Sequence, residues 1–239
     1  MSTEAVATVL TGLDLPEEIP CEGWKRCRAC GEEWRLGPGE VICPPCGEAR
    51  EDQKRADAHR QWCRHHRGDL LTKAEIPRRF HRPITIDRWP RDPRRPDTNL
   101  AAWCGSPWAV TLFGGPGVGK TTLAVELAWR WLAQTPEHDN ALFRRGTALL
   151  RETLAGSPYA ERARRCGLLI LDDFGHGLAH RTAWAMLGDI LAERHAWERP
   201  TILTTQLKHP ALEKGHSPTA DRLLDGLLCQ LGGRSRRGL

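Results

Sequence analysis

Residues 108–122 read WAVTLFGGPGVGKTT, and this stretch decides the fold. Six apolar or β-branched residues lead into a glycine-rich turn. GGPGVGKT at 114–121 then fits G-x-x-x-x-G-K-[ST], a loop whose backbone amides converge on phosphate oxygens. Glycines at 114, 115, 117 and 119 permit the tight turn. The helix expected over 121–134 begins at the loop and adds its positive dipole end. The phosphate-holding set is Gly115, Pro116, Gly117, Val118, Gly119, Lys120, Thr121 and Thr122. Lys120 neutralises the terminal phosphates, and the Thr121 hydroxyl suits Mg²⁺, a hard cation that prefers oxygen.

Outward from this loop, strands and helices alternate. Strands are expected at 108–114, 141–145, 167–173 and 201–206. Helices are expected at 147–156, at 157–165 with Ser157 as cap and Pro158 at the first position, at 182–197 with Thr182 as cap, and at 219–231. GLLILDD (167–173) has no polar alternation, which predicts a strand buried on both faces. The fold class is α/β: a three-layer parallel sheet with flanking helices. LLILDDFG presents two acids at the end of its strand. Asp172 is assigned to the metal with Thr121, and Asp173 to polarising the attacking water as general base. TILTTQ ends in Gln206, which would orient that water; Thr205 is the alternative.

The first half of the chain reads differently. Cys27 and Cys30, then Cys43 and Cys46, form two C-x2-C pairs separated by twelve residues. Four thiolates at this spacing suit one structural Zn²⁺. Gly31 and Gly47 follow the pairs, and Cys21 is a poorer ligand by spacing. So few residues cannot build a sufficient apolar core, so metal binding would supply the stability. The expected organisation is an arm at 1–20, a zinc ribbon at 21–50, a basic helix and linker at 51–74, and the phosphate-loop domain at 75–239. The basic helix is expected over 51–68, ended by Gly68. The proline-rich stretch 75–98 is expected to be extended. Cys63 with His65 and His66 reads as a second weak metal site or as a plain helix face.

The net charge is +5, and it is concentrated. Lys54–Arg95 holds thirteen Lys/Arg against five Asp/Glu, either a footprint for a phosphate backbone or a solvated helix and linker. Trp24, Trp34 and Trp62 near these segments could serve nucleic-acid or protein contacts, although most of the ten tryptophans suit packing. No apolar run reaches the length of a membrane span, and the N-terminal stretch has no basic region before its short apolar segment. The cytoplasm and no membrane partner are therefore expected.

Five segments in this order resemble the AAA+ ATPases of the DnaC/IstB type, which comprise bacterial and phage helicase loaders and the ATPase subunits of certain transposons. They are AEIPRRFHRPITIDRW, GGPGVGKTTLAVELA, LLILDDFG, PTILTTQ and ADRLLDGLL, between Ala74 and Leu231. The resemblance implies ATP with Mg²⁺ and an adenine site beside Ile84 and Ile86; Asp173 is shorter than the Glu often found at the base position, so slow or partner-stimulated hydrolysis is expected. The resemblance also implies an arginine finger at Arg222 and hence self-association or stacking on a partner; Gly226 stands where members often carry a second arginine, and the full C-terminal helical lid of the family is expected to be missing. It places contacts to single-stranded DNA between the second strand and the acidic strand, here Arg144, Arg145, Arg151, Arg162, Arg164 and Arg165. Arg234, Arg236 and Arg237 fit either a phosphate contact or a basic tail. Some loaders carry a zinc-bearing N-terminal domain that contacts the helicase. The expected function is ATP-dependent loading of a DnaB-type replicative helicase onto single-stranded DNA. An IstB-like regulator of a transposase on duplex DNA and a zinc adaptor that binds ATP without turnover are the alternatives.

Overall fold

The computed structural model describes residues 24–36, 39–86, 89–134, 137–138, 140–175, 181–206 and 218–232, leaving aside the side chains of Trp24 and of 181–184. The arm at 1–20, Cys21 and the arginines after 232 lie outside the described residues, and Thr182, expected to cap a helix, is instead the second residue of the helix Arg181–Ala196. The chain divides into two compact units, Met1–Arg55 and Ala56–Leu239.

In the first unit, β1 (Trp24–Arg26) and β2 (Glu33–Arg35) pair antiparallel. A small core of Cys27, Leu36 and Cys43 packs with Trp34, Ile42 and Cys46. Helix α1 runs from Pro44 to His65. It therefore starts earlier than the composition suggested, and the second cysteine pair lies at its N-terminal end. Two prolines at the first helical positions cost little, because their missing N–H groups have no helical partner there. Gly68 does not end this helix; it lies inside α2 (Arg67–Lys73), which is anchored by the fully buried Leu71.

The second unit is built on five parallel strands: β3 (Ala109–Phe113), β4 (Ala141–Arg145), β5 (Leu168–Phe174), β6 (Thr201–Thr205) and β7 (Leu227–Gln230). Their order is β4-β5-β6-β3-β7, each neighbouring pair parallel. Alternate residues of each strand face opposite layers. Val110, Leu112, Leu168, Ile170 and Ile202 pack under α3 (Lys120–Leu132), α2 and the end of α1. Ala109, Leu169, Leu171 and Leu203 pack under α4 (Gly146–Leu154), α5 (Pro158–Arg165) and α6 (Arg181–Ala196). The three-layer α/β expectation holds, and so does the Ser157 cap, whose hydroxyl accepts from the Tyr159 amide. Among the described residues no helix is long and apolar enough to cross a membrane.

The C-terminal expectation is corrected. Residues 219–231 are not one helix: α7 spans Pro218–Leu224, and Leu227–Gln230 form β7 beside β3. Gly226 marks the break, since a Cβ there would meet Ala109 O at 2.6 Å. LLCQ then fills a sheet edge whose amides and carbonyls need partners. A turn in the proline-rich stretch secures this junction. Asp92, whose carboxylate is buried, accepts from the Leu228 amide at 2.8 Å and from Arg94 Nη2 at 2.7 Å. Arg94 in turn donates to Leu224 O and Gly226 O, and Arg95 to Asp225 O, satisfying carbonyls at the end of α7. Arg194, fully buried, plays a similar part beneath α5, donating to Ala163 O, Cys166 O and Pro200 O and to the Thr201 hydroxyl.

Candidate functional site

The glycine-rich loop joins β3 to α3, so its amides lie at the helix N-terminus. Two of its glycines are required on steric and conformational grounds. Gly114 has φ +152, and a Cβ there would meet Leu231 O at 2.3 Å; Gly119, at φ +96, caps α3 in a left-handed conformation. Lys120 is buried and its ammonium donates to Gly114 O at 2.9 Å and Gly115 O at 2.7 Å, so the loop's own carbonyls hold the charge at the centre of the turn.

The acids meet the loop where β5 is irregular. The β5–β6 register shifts between Leu171 and Phe174, and Asp173 has φ +53, a conformation that costs a non-glycine residue energy. Asp172 is buried at the end of the regular segment. One carboxylate oxygen, Oδ1, accepts from Thr121 Oγ1 at 2.7 Å and from Thr204 Oγ1 at 2.7 Å. Thr204 also accepts from the Asp173 amide at 3.0 Å, so a single buried hydroxyl fixes both acids. Thr204 was missed in the sequence, where it reads as one more β-branched residue of a buried strand. Thr205, the alternative to Gln206, is occupied: its hydroxyl donates to Phe174 O at 2.7 Å.

These groups border an open cleft of about 1150 Å³. Pro116 through Thr122, Asp172, Asp173 and Gln206 line it together with the apolar Phe80, Ile84, Ile86 and Trp89. The sequence-predicted residues are thus brought together, with two qualifications of place. Gly115 serves through its carbonyl to Lys120. Arg222, partly exposed on α7, lies outside this cleft. Arg145, read above with the DNA-contacting cations, instead lines the cleft at the end of β4, in register with Asp172. Arg79 and Arg91 line it too, so part of the basic segment serves this cleft.

The ribbon carries a second candidate site. The sulfurs of Cys27, Cys30, Cys43 and Cys46 all lie within 4.8 Å of one another. Tetrahedral Zn²⁺ at about 2.3 Å from each sulfur separates the sulfurs by about 3.8 Å. Cys30 Sγ and Cys43 Sγ are 3.8 Å apart. The amides of Ala29 and Cys43 each donate to Cys27 Sγ at 3.3 Å, as suits a thiolate. Backbone amides, that of Cys43 foremost, hold the Cys27 thiol down to about 6, whereas hydrogen bonding to the Cys43 and Cys30 thiols pushes Cys46 up to about 12. The donor set fits a closed, structural zinc site. Gly31 turns with φ +76 after the first pair, while Gly47 follows the second as part of α1. Cys63, His65 and His66 do not converge: Cys63 is buried toward Leu132 O, and each histidine bonds the carbonyl four residues before it. The helix-face reading holds there.

No family model and no curated protein matches the chain. Solved structures do. DnaI is 21% identical over 68% of this chain and 94% of its own, with a TM-score of 0.52. Domain III of the replication initiation protein DnaA from Thermotoga maritima is 18% identical over 56% of this chain and 58% of its own, with a TM-score of 0.49. The DnaC helicase loader is 20% identical over 56% and 84%, with a TM-score of 0.44. What the likeness to DnaI shows is the fold.

Proposed function

We propose that this chain is an ATPase that loads a DnaB-type replicative helicase onto single-stranded DNA, with a zinc ribbon as its recruiting module. The observation that carries the reading is the junction of the two motifs: Thr121, next to Lys120 in the phosphate loop, and Thr204 converge on one oxygen of Asp172. The four-cysteine ribbon ahead of the phosphate-loop domain, a layout that resembles some helicase loaders, supports the choice of client.

In this reading Lys120 leaves Gly114 O and Gly115 O for the β and γ phosphates, exchanging two carbonyl partners for anions. Thr121 and Asp172 hold Mg²⁺, which supplies charge neutralisation of the phosphates. Asp173 accepts a proton from the attacking water, and Gln206, exposed at the end of β6, orients it. Ile84, Ile86 and Trp89 provide apolar surface for the base. Arg222, outside its own cleft, acts on the site of a neighbouring subunit. Cys27, Cys30, Cys43 and Cys46 hold Zn²⁺ in a structural role.

The test is capture of partners from host lysate on Asp173→Asn, which should hold the ATP-bound assembly. Recovery of the replicative helicase, lost when Lys120→Ala is added, supports the loader. Recovery of a transposase, or of no ATP-dependent partner, overturns it.

A further inference from the structure

Three stretches of the chain are rich in positive charge, and ion pairing consumes most of it in two. On α1, Lys54 is 2.6 Å from Glu51, Arg55 2.8 Å from Asp52 and Arg60 2.5 Å from Asp57. From β4 to α5, Arg144 pairs with Glu75 and Glu152, Arg162 with Glu75, Arg164 with Glu161 and Glu193, and Arg165 with Glu161. The third stretch begins at the end of α2 and passes through a 3-10 turn at Arg78–Phe80. It presents Lys73, Arg78 and Arg82, all exposed. None of the three has a carboxylate within 4.0 Å among the described residues, and Glu75 between them is turned to Arg144 and Arg162.

The backbone that carries these cations is held in place. Ile76 N donates to Leu71 O, the His81 ring bonds Ile76 O at 2.8 Å, and Arg67 Nε donates to His81 O at 3.1 Å. Ala74 O accepts the Phe143 amide, fixing the stretch to the edge strand β4. Little ordering would remain for a ligand to impose. The exposed large hydrophobic residues among those described are Val41, Trp62, Leu154 and Trp197, and none belongs to this stretch. A protein partner draws its energy from buried apolar anchors, which are missing here. A phosphodiester strand needs only positioned cations.

We propose that Lys73, Arg78 and Arg82 form a sequence-independent contact for the phosphate backbone of single-stranded DNA. The proposal rests on the reading that the chain works on such DNA. It moves the main contact from α4–α5, where the resemblance places it, to the junction after α2. Each cation that neutralises a single-strand phosphate contributes about 0.7 to the slope of log affinity against log salt.

The experiment measures binding of the full chain to a labelled mixed-sequence single strand of about 20 nucleotides, by fluorescence anisotropy from about 50 to about 200 mM salt. In Lys73→Gln/Arg78→Gln/Arg82→Gln the slope should flatten by about 2, so the affinity lost across that range shrinks about 20-fold relative to the unsubstituted chain. Lys54→Gln/Arg55→Gln/Arg60→Gln should keep the original slope. Arg78→Lys/Arg82→Lys should keep it also, because charge rather than shape is at work. An unchanged slope in the first variant, with DNA still bound, overturns the contact alone. Failure of the unsubstituted chain to bind any single strand overturns both the contact and the single-strand reading. Tighter binding of a duplex of the same length overturns the single-strand assignment.

Discussion

Replacing Thr204 by Val tests whether one buried hydroxyl organises the acidic pair. Thr204 is 0% exposed; it donates to Asp172 Oδ1 at 2.7 Å and accepts from the Asp173 amide at 3.0 Å. Valine has nearly the same shape and neither capacity. A hydrogen bond to a charged group contributes about 1.5–3 kcal/mol, and an orphaned buried donor costs about 1–3 kcal/mol. Asp172 keeps its bond from Thr121, which tempers the loss. The expected destabilisation is about 2–4 kcal/mol, a fall in unfolding midpoint of about 4–16 °C for a chain of this size. Thermal unfolding followed by tryptophan fluorescence measures it, with Thr204→Ser, which keeps the hydroxyl, as comparison. ATP turnover should fall in the Val variant and survive in the Ser variant. A Val variant that unfolds within about 0.5 kcal/mol of the unsubstituted chain, as a neutral surface change would, refutes the reasoning.

Other predictions address the remaining polar centres. Cys43→Ser should reduce bound zinc from one equivalent to none by elemental analysis, and a chelator should unfold the ribbon; retention of stoichiometric zinc would show that Cys43 is not a ligand. Burial alone would push the Asp92 carboxyl up, but the Arg94 guanidinium and the amides of Leu228 and Arg94 outweigh it and hold the group below its ordinary range. A carboxylate lowered in this way contributes stability above its unfolded pKa of about 3.9 and loses it as pH falls through the lower folded value. Asp92→Asn should therefore be less stable at neutral pH by about 1–3 kcal/mol and should show a shallower loss of stability in acid titration below about pH 4. Parallel acid curves for the two proteins would contradict that role.

The sheet, its parallel strands and the phosphate loop were legible because each rests on a local signal. Apolar runs of strand length, a glycine spacing with one use, and the Ser157–Pro158 cap all speak through a few neighbouring residues. The four cysteines were legible for the same reason. What stayed hidden depends on contacts distant in sequence. LLCQ after Gly226 continues a helical pattern by composition, and only the sheet edge beside β3, with Asp92 accepting Leu228 N, makes it a strand. Thr204 reaches the acids of another strand, and Arg145 faces the cleft because β4 lies beside β5. The basic segment was read by charge count, which cannot tell Arg55, paired with Asp52, from Arg82, which has no carboxylate partner among the described residues.

The central claim is that this cleft hydrolyses ATP with Asp173 as the base. The most direct test compares Asp173→Asn with the unsubstituted chain, measuring ATP affinity by titration and phosphate release in the presence of Mg²⁺, DNA and the captured partner. The account predicts affinity within about threefold and turnover reduced by about 10²-fold or more, the scale of a lost general base. Turnover at the original rate with ATP still bound would contradict it.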